Sequence, residues 1–234
     1  MFYRLSNTSD LKGIERELGV KFRFPNLYEP NAVINGLVES NLPIITMEDS
    51  QTIDFSIWGL LPEDYEESWD TFQDVTNTLN TNVHNQNLSD DIYTNALDKR
   101  RCLIIVNGFF TTRLFNGKLH MHYVHLKNHS PFCLAGIYNK VVDGFITCSL
   151  LVTHATHKFD NIPNLGKLKP LIFKKKDYHT WLDRNNNLND LKSLINHHDV
   201  YDFVYDPIKG PHDNIKDLRR TLDDGYDEIN LRIS

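Results

Sequence analysis

The chain has 234 residues, 40% of them apolar and 24% charged, with 25 basic against 31 acidic side chains and a net charge of −6. This is ordinary globular composition, long enough for one large core. The acidic balance weighs against a protein that grips nucleic acid through bulk charge, but leaves room for a local basic groove.

Phe2, Tyr3 and Leu5 open a strand. Asp10 to Leu18 predicts a short helix, with Leu11, Ile14 and Leu18 on one face, Ser9 or Asp10 as the cap and Gly19 as the stop. Several prolines follow, then the Asn35-Gly36 turn signal and a strand at 43–46. Ile53 to Leu61 alternates and then becomes continuously apolar. Glu63 to Thr94 is acidic, asparagine-rich and weakly periodic, which predicts a loop with one short helix.

Arg100 to Thr156 is the densest apolar stretch. Cys102 to Val106 reads as a strand buried on both faces. Asn107-Gly108 breaks it, Phe109-Phe110 resume, and Asn116-Gly117 is a hairpin signal. His120–Leu126, Phe132–Tyr138 and Phe145–Thr153 follow as strands. Together these predict an antiparallel meander on which the rest packs. Beyond it come a loop at 157–168, a strand at 170–173, a helix at 177–183, a helix at 188–196 and a strand at 200–205. The tail from 207 is charged and reads as loosely packed.

No linker rich in Pro, Gly or Ser divides the sequence, so one domain over 1–234 is expected. Met1-Phe2-Tyr3-Arg4 runs straight into polar residues, which reads as no signal peptide, and no apolar run reaches membrane-spanning length. The expectation is a cytoplasmic protein away from membranes. Cys102, Cys133 and Cys148 all fall in predicted strands and read as buried free thiols. His120 and His122 share a strand face, and His154 and His157 lie three apart. Both pairs, like His197-His198, read as ordinary histidines rather than metal ligands, so neither a metal nor a cofactor is expected. Lys174-Lys175-Lys176 reads as a solvated turn before a helix, with contact to an acidic partner or a nucleic-acid backbone as the alternative.

Several motifs resemble one family. They are Arg100-Arg101-Cys102-Leu103, Gly108-Phe109-Phe110, Tyr123-Val124-His125-Leu126-Lys127, Pro131-Phe132 with Ala135-Gly136 and Tyr138, the strand ending Thr153-His154-Ala155, and Trp58-Gly59-Leu60-Leu61-Pro62. The pattern is similar to the SRAP family, the SOS response-associated peptidases or abasic-site processing proteins. The resemblance implies an α+β fold, a bent antiparallel sheet or open barrel with short peripheral helices. It further implies that active members join an N-terminal cysteine, through its thiol and α-amine, to the aldehyde of an abasic site as a thiazolidine.

Carried over residue by residue, the resemblance places Phe2 at the cysteine, Asn80 at a substrate-orienting asparagine, Thr111 at a proton-transferring glutamate and Pro163 at a histidine. Asn82 and His84 stand where the family has an arginine and a second glutamate, and Leu168 or, with a one-residue slip, Lys167 or Lys169 falls at another arginine. A phenyl ring has no nucleophile, and neither Thr111 nor Pro163 titrates near neutrality. His84, His154 or His157 are the remaining groups that could titrate. The acidic pair Glu63-Asp64 after the Trp-Gly motif would repel phosphate.

The expected function is a catalytically inactive SRAP-like module serving a protein partner or a structural role. The alternative is non-covalent binding of single-stranded or abasic-site DNA in a DNA-damage response, with Asn80, Asn82, His84, Lys167 and Lys169 as contacts. The asparagine-rich, arginine-poor composition points to an AT-rich coding sequence such as that of a virus or mobile element.

Overall fold

The computed structural model describes residues 2–84, 91–155, 165–196 and 202–208. In chain order their elements are β1 (Arg4–Asn7), α1 (Leu11–Leu18), β2 (Lys21–Phe22), β3 (Asn31–Asn35), β4 (Asn41–Thr46), β5 (Thr52–Trp58) and α2 (Trp69–Val75). Then come β6 (Asn80–Asn82), α3 (Asp91–Lys99), β7 (Arg101–Val106), β8 (Gly108–Phe115), β9 (Lys118–Leu126), β10 (Phe132–Lys140) and β11 (Ile146–His154). The last are β12 (Leu168–Pro170), α4 (Tyr178–Leu182), α5 (Leu188–Asn196) and β13 (Phe203–Pro207). The fold is α+β.

One sheet has the order β13-β9-β8-β1-β3 and the other runs β12-β11-β10-β7-β4-β5-β2. A parallel pairing of β5 with β11, through Thr147 against Ile57 and Cys148 against Trp58, bends the larger sheet back on itself. β6 adds a further parallel neighbour to β11. The expected single meander is therefore divided: β8 and β9 belong to the smaller sheet, β7, β10 and β11 to the larger. The break comes at Asn107, whose side-chain amide donates to Thr8 Oγ1 while its backbone amide donates to the Ser6 carbonyl. The chain thereby leaves the β7 ladder and joins β1.

The alternation of strand side chains explains the layers. Along β7, Cys102, Ile104 and Val106 enter a core shared with Leu5, Phe109 and Val124 of the smaller sheet. Leu103 and Ile105 point the other way, into a core with Ile14, Leu97, Trp181, Leu191 and Ile195 of the helices. Arg101 is fully buried, and its guanidinium donates to the carbonyls of Trp181, Asp98, Asp183 and Asn186 at 2.7–3.0 Å. Carbonyls replace the water lost on burial, the nearby Asp98 and Asp183 carboxylates also favour the charge, and the group ties α3, β7 and α4 together.

Local signals account for most boundaries. Asp10 caps α1 by accepting from the Gly13 amide, and Gly19 ends it in the left-handed region at φ 76°. Asn116 and Gly117 have φ of 49° and 72°, the two positive values that a tight two-residue hairpin requires. The segment expected as a loop with one short helix at 63–94 holds that helix as α2, together with β6 and the start of α3, which were not expected. β6 has only three residues, and its hydrogen bonds come from β11, so no local periodicity announces it. The strand expected at 170–173 begins earlier, as β12, and the one at 200–205 is shifted to β13. The tail beyond 208, Pro163, His157 and His197-His198 lie outside the described residues.

Candidate functional site

The Trp-Gly-Leu-Leu-Pro motif positions the first site residue. Trp58 is fully buried with its ring over Gly36, where an added Cβ would stand 2.7 Å from the indole. The Trp58 Nε1–H donates to the Leu79 carbonyl at 2.9 Å, and Thr78 Oγ1 donates to the Leu60 carbonyl at 2.7 Å. These bonds fix residues 78 and 79, and with them the next residue, Asn80.

Asn80 clamps the backbone of residue 2. The Phe2 amide donates to Asn80 Oδ1 at 3.0 Å, and Asn80 Nδ2 donates to the Phe2 carbonyl at 2.6 Å. The next carbonyl, of Tyr3, accepts from the Gly36 amide at 2.9 Å. The Phe2 ring is 4% exposed and meets Phe109 edge-on, with centroids 5.8 Å apart. Phe109 in turn contacts Phe203, and Phe203 contacts Phe132. Residue 2 is thus core, held at its backbone by a polar clamp and at its ring by an aromatic chain.

Thr111 lies two residues beyond Phe109, so alternation puts both on one sheet face. It is 3% exposed and pairs across the sheet with His122. Thr111 Oγ1 and His122 Nδ1 are both buried without a hydrogen-bond partner among the described residues. Burial is the main cause that holds the His122 ring below the usual histidine pKa, with His120 and Arg113 adding repulsion.

The same face continues outward along the hairpin. Arg113 pairs with His120 and Phe115 with Lys118. Arg113 stacks over the Phe115 ring, the guanidinium carbon lying 5.1 Å from its centroid, and Phe115 is 51% exposed. Phe115 also meets His120 edge-on at 6.1 Å. This basic and aromatic strip was legible as the alternating set 111, 113, 115 and 118, 120, 122 around Asn116-Gly117. From the sequence, Thr111 stood out by the family resemblance, His120 and His122 read as ordinary strand histidines, and Arg113, Phe115 and Lys118 drew no reading.

The other expected residues gather along β11. Asn82 follows Asn80 by two positions on β6 and therefore shares its face. His84 Nε2 lies 2.8 Å from Thr153 Oγ1, and its ring stacks on His154 at 5.6 Å. Lys169 pairs across the sheet with Thr153, and burial pushes its pKa down. The Lys167 carbonyl accepts from the Ala155 amide at 2.7 Å, while its side chain is exposed. Glu63, expected to repel phosphate, is paired with Arg100 at 2.7 Å, so half of that acidic pair is neutralised. No cluster of three or more His, Cys, Asp or Glu suited to a metal occurs among the described residues, and the three cysteines are buried thiols.

Residues 1–210 match the family model described as SOS response associated peptidase (SRAP). A crystal structure of a protein from Bacteroides thetaiotaomicron is similar at TM-score 0.75 and 19% identity, covering 93% of this chain and 98% of that one. One from Bordetella bronchiseptica has TM-score 0.70 and 15% identity, covering 89% and 100%. A phage-related protein from the same organism has TM-score 0.60 and 11% identity, covering 89% and 94%. At these identities the likeness is one of fold. No curated protein matches the chain.

Proposed function

The chain belongs to the SRAP family, and from that premise we propose that it holds single-stranded DNA without forming a covalent bond to it. Membership suggests abasic-site binding in DNA damage at the level of the family. Covalent capture there needs a thiol and an amine on one residue. Residue 2 here offers a phenyl ring turned into the core and a backbone amide already donated to Asn80. Thr111 has no acidic proton to transfer, so the position cannot serve as a general acid or base near neutral pH.

The observation that carries the binding half is the strip leading away from Thr111. Arg113, Lys118 and His120 supply phosphate contacts, and the half-exposed Phe115 ring supplies a stacking surface. Cations interleaved with an aromatic ring are what a sequence-tolerant single-strand binder requires, even on a protein of negative net charge. Asn80, Asn82, His84, Lys167 and Lys169 extend polar surface along β6, β11 and β12 on this reading.

The test is fluorescence anisotropy with intact and abasic single strands at rising salt, followed by a denaturing gel. The expected result is binding that weakens steeply with salt and leaves no heat-stable adduct. No binding at low salt removes the DNA reading, and a heat-stable crosslink removes the non-covalent one. A second reading, a protein-binding module, is favoured by the exposed Phe24, Leu27 and Phe145 around a cavity of about 690 Å³. A Phe24→Ser, Phe145→Ser variant with DNA binding intact would separate the two surfaces.

A further inference from the structure

Far from position 2 along the aromatic chain, beyond Phe203, Phe132 lines a cavity of about 820 Å³. Its wall brings together two basic segments distant in sequence: Lys127 at the end of β9, and Lys174, Lys175 and Lys176 before α4. Two acidic residues, Glu17 and Asp202, line the same space. Glu17 already engages Lys175, through its carbonyl and through a carboxylate oxygen at 3.9 Å. Lys127 has no ion pair among the described residues. Among the described residues the wall thus carries four lysines against two carboxylates, on a protein whose overall charge is −6.

Like charges gathered around a concavity repel one another, and an anion with several charges relieves that repulsion best. The volume lies in the range of small-ligand pockets, roughly 300–1,000 Å³. The floor is partly apolar, made by Leu18, Leu126, Pro131 and Phe132. A single carboxylate would engage only one side of such a wall. An oligophosphate spans it and meets each ammonium as a point charge.

We propose that this cavity binds a small oligophosphate, either inorganic or carried by a nucleotide. The lysines bind the phosphates, and the apolar floor receives a base when one is attached. This site does not depend on the position-2 reading, because the two share no residue.

Calorimetric titration at low salt with tripolyphosphate, ATP and a short single-stranded oligonucleotide tests it. Tripolyphosphate and ATP bind if the proposal holds. Equal affinities identify the inorganic anion as sufficient, and tighter ATP binding identifies the nucleotide. Replacing Lys127, Lys174 and Lys176 with Gln weakens both by roughly tenfold or more, whereas Lys99→Gln, an exposed lysine outside the cavity wall, leaves them unchanged. NMR on the unaltered protein provides an independent check, with ATP-induced shifts confined to amides at 126–132 and 174–178. The proposal is overturned by absence of binding to both phosphates, by unchanged affinity in the folded triple variant, by shifts elsewhere, or by an oligonucleotide that competes on equal terms.

Discussion

Position 2 and the β8–β9 hairpin tip contribute to one continuous sheet surface, yet they differ in every physical respect. At the inner end, Phe2 and Phe109 are buried and Asn80 saturates the backbone. At the outer end, Arg113, Phe115, Lys118 and His120 are exposed. Buried Thr111 and half-buried His122 stand between them, with Thr111 Oγ1 and His122 Nδ1 lacking hydrogen-bond partners among the described residues. At the inner end the Phe2 side chain thus serves packing and Asn80 fixes its backbone. The outer end has little to do with stability and retains groups that can meet a ligand.

The strongest way to test this division is Phe2→Ala. Emptying the ring's place against Phe109 is expected to cost about 3–5 kcal/mol, read as a lower denaturant midpoint. A cost near zero would mean that the ring does not belong to the core. Asn80→Ala comes next. It leaves the Phe2 amide and carbonyl without their partner and is expected to cost about 1–3 kcal/mol by the same measurement.

Thr111→Val removes a buried hydroxyl that has no partner among the described residues and keeps the shape, so a gain of up to about 1 kcal/mol is expected. Destabilisation would show that the hydroxyl is in use. Arg113→Gln with Lys118→Gln should leave stability within about 0.5 kcal/mol. The same variant should lower the salt dependence of single-strand binding by about two phosphate contacts. An unchanged salt slope would move the DNA path off the hairpin.

The smallest effect is the pH dependence. Burial lowers the His122 pKa below its ordinary 6.5, so the folded state takes up the proton less readily than the unfolded chain. Its contribution is complete above that value and is lost as pH falls through the lower, folded-state value. A fall in melting temperature from neutral to mildly acid buffer, reduced in His122→Asn, checks the sign.

Much of the frame was legible because it rests on local chemistry. Asp10 and Gly19 bound α1, and Asn116-Gly117 closes the hairpin. β7 is buried on both faces, as its continuous apolar run at 102–106, rich in β-branched residues, implies. The site was less legible. That residue 2 lacks a thiol needs only the sequence, but that its ring turns into the core depends on Phe109 and Phe203. Glu63 looked repulsive until Arg100 was placed beside it.

Sequence alone determined the strand pattern, the turn positions and the presence of a phenyl ring without a thiol at residue 2, since each follows from the conformational or chemical limits of single residues and their neighbours. Tertiary structure alone decided that the meander divides between two sheets, that Asn80 reaches Phe2, and that four lysines meet in one cavity. Those outcomes depend on pairings between segments tens of residues apart, and a hydrogen bond across such a distance leaves no periodicity in the chain that makes it.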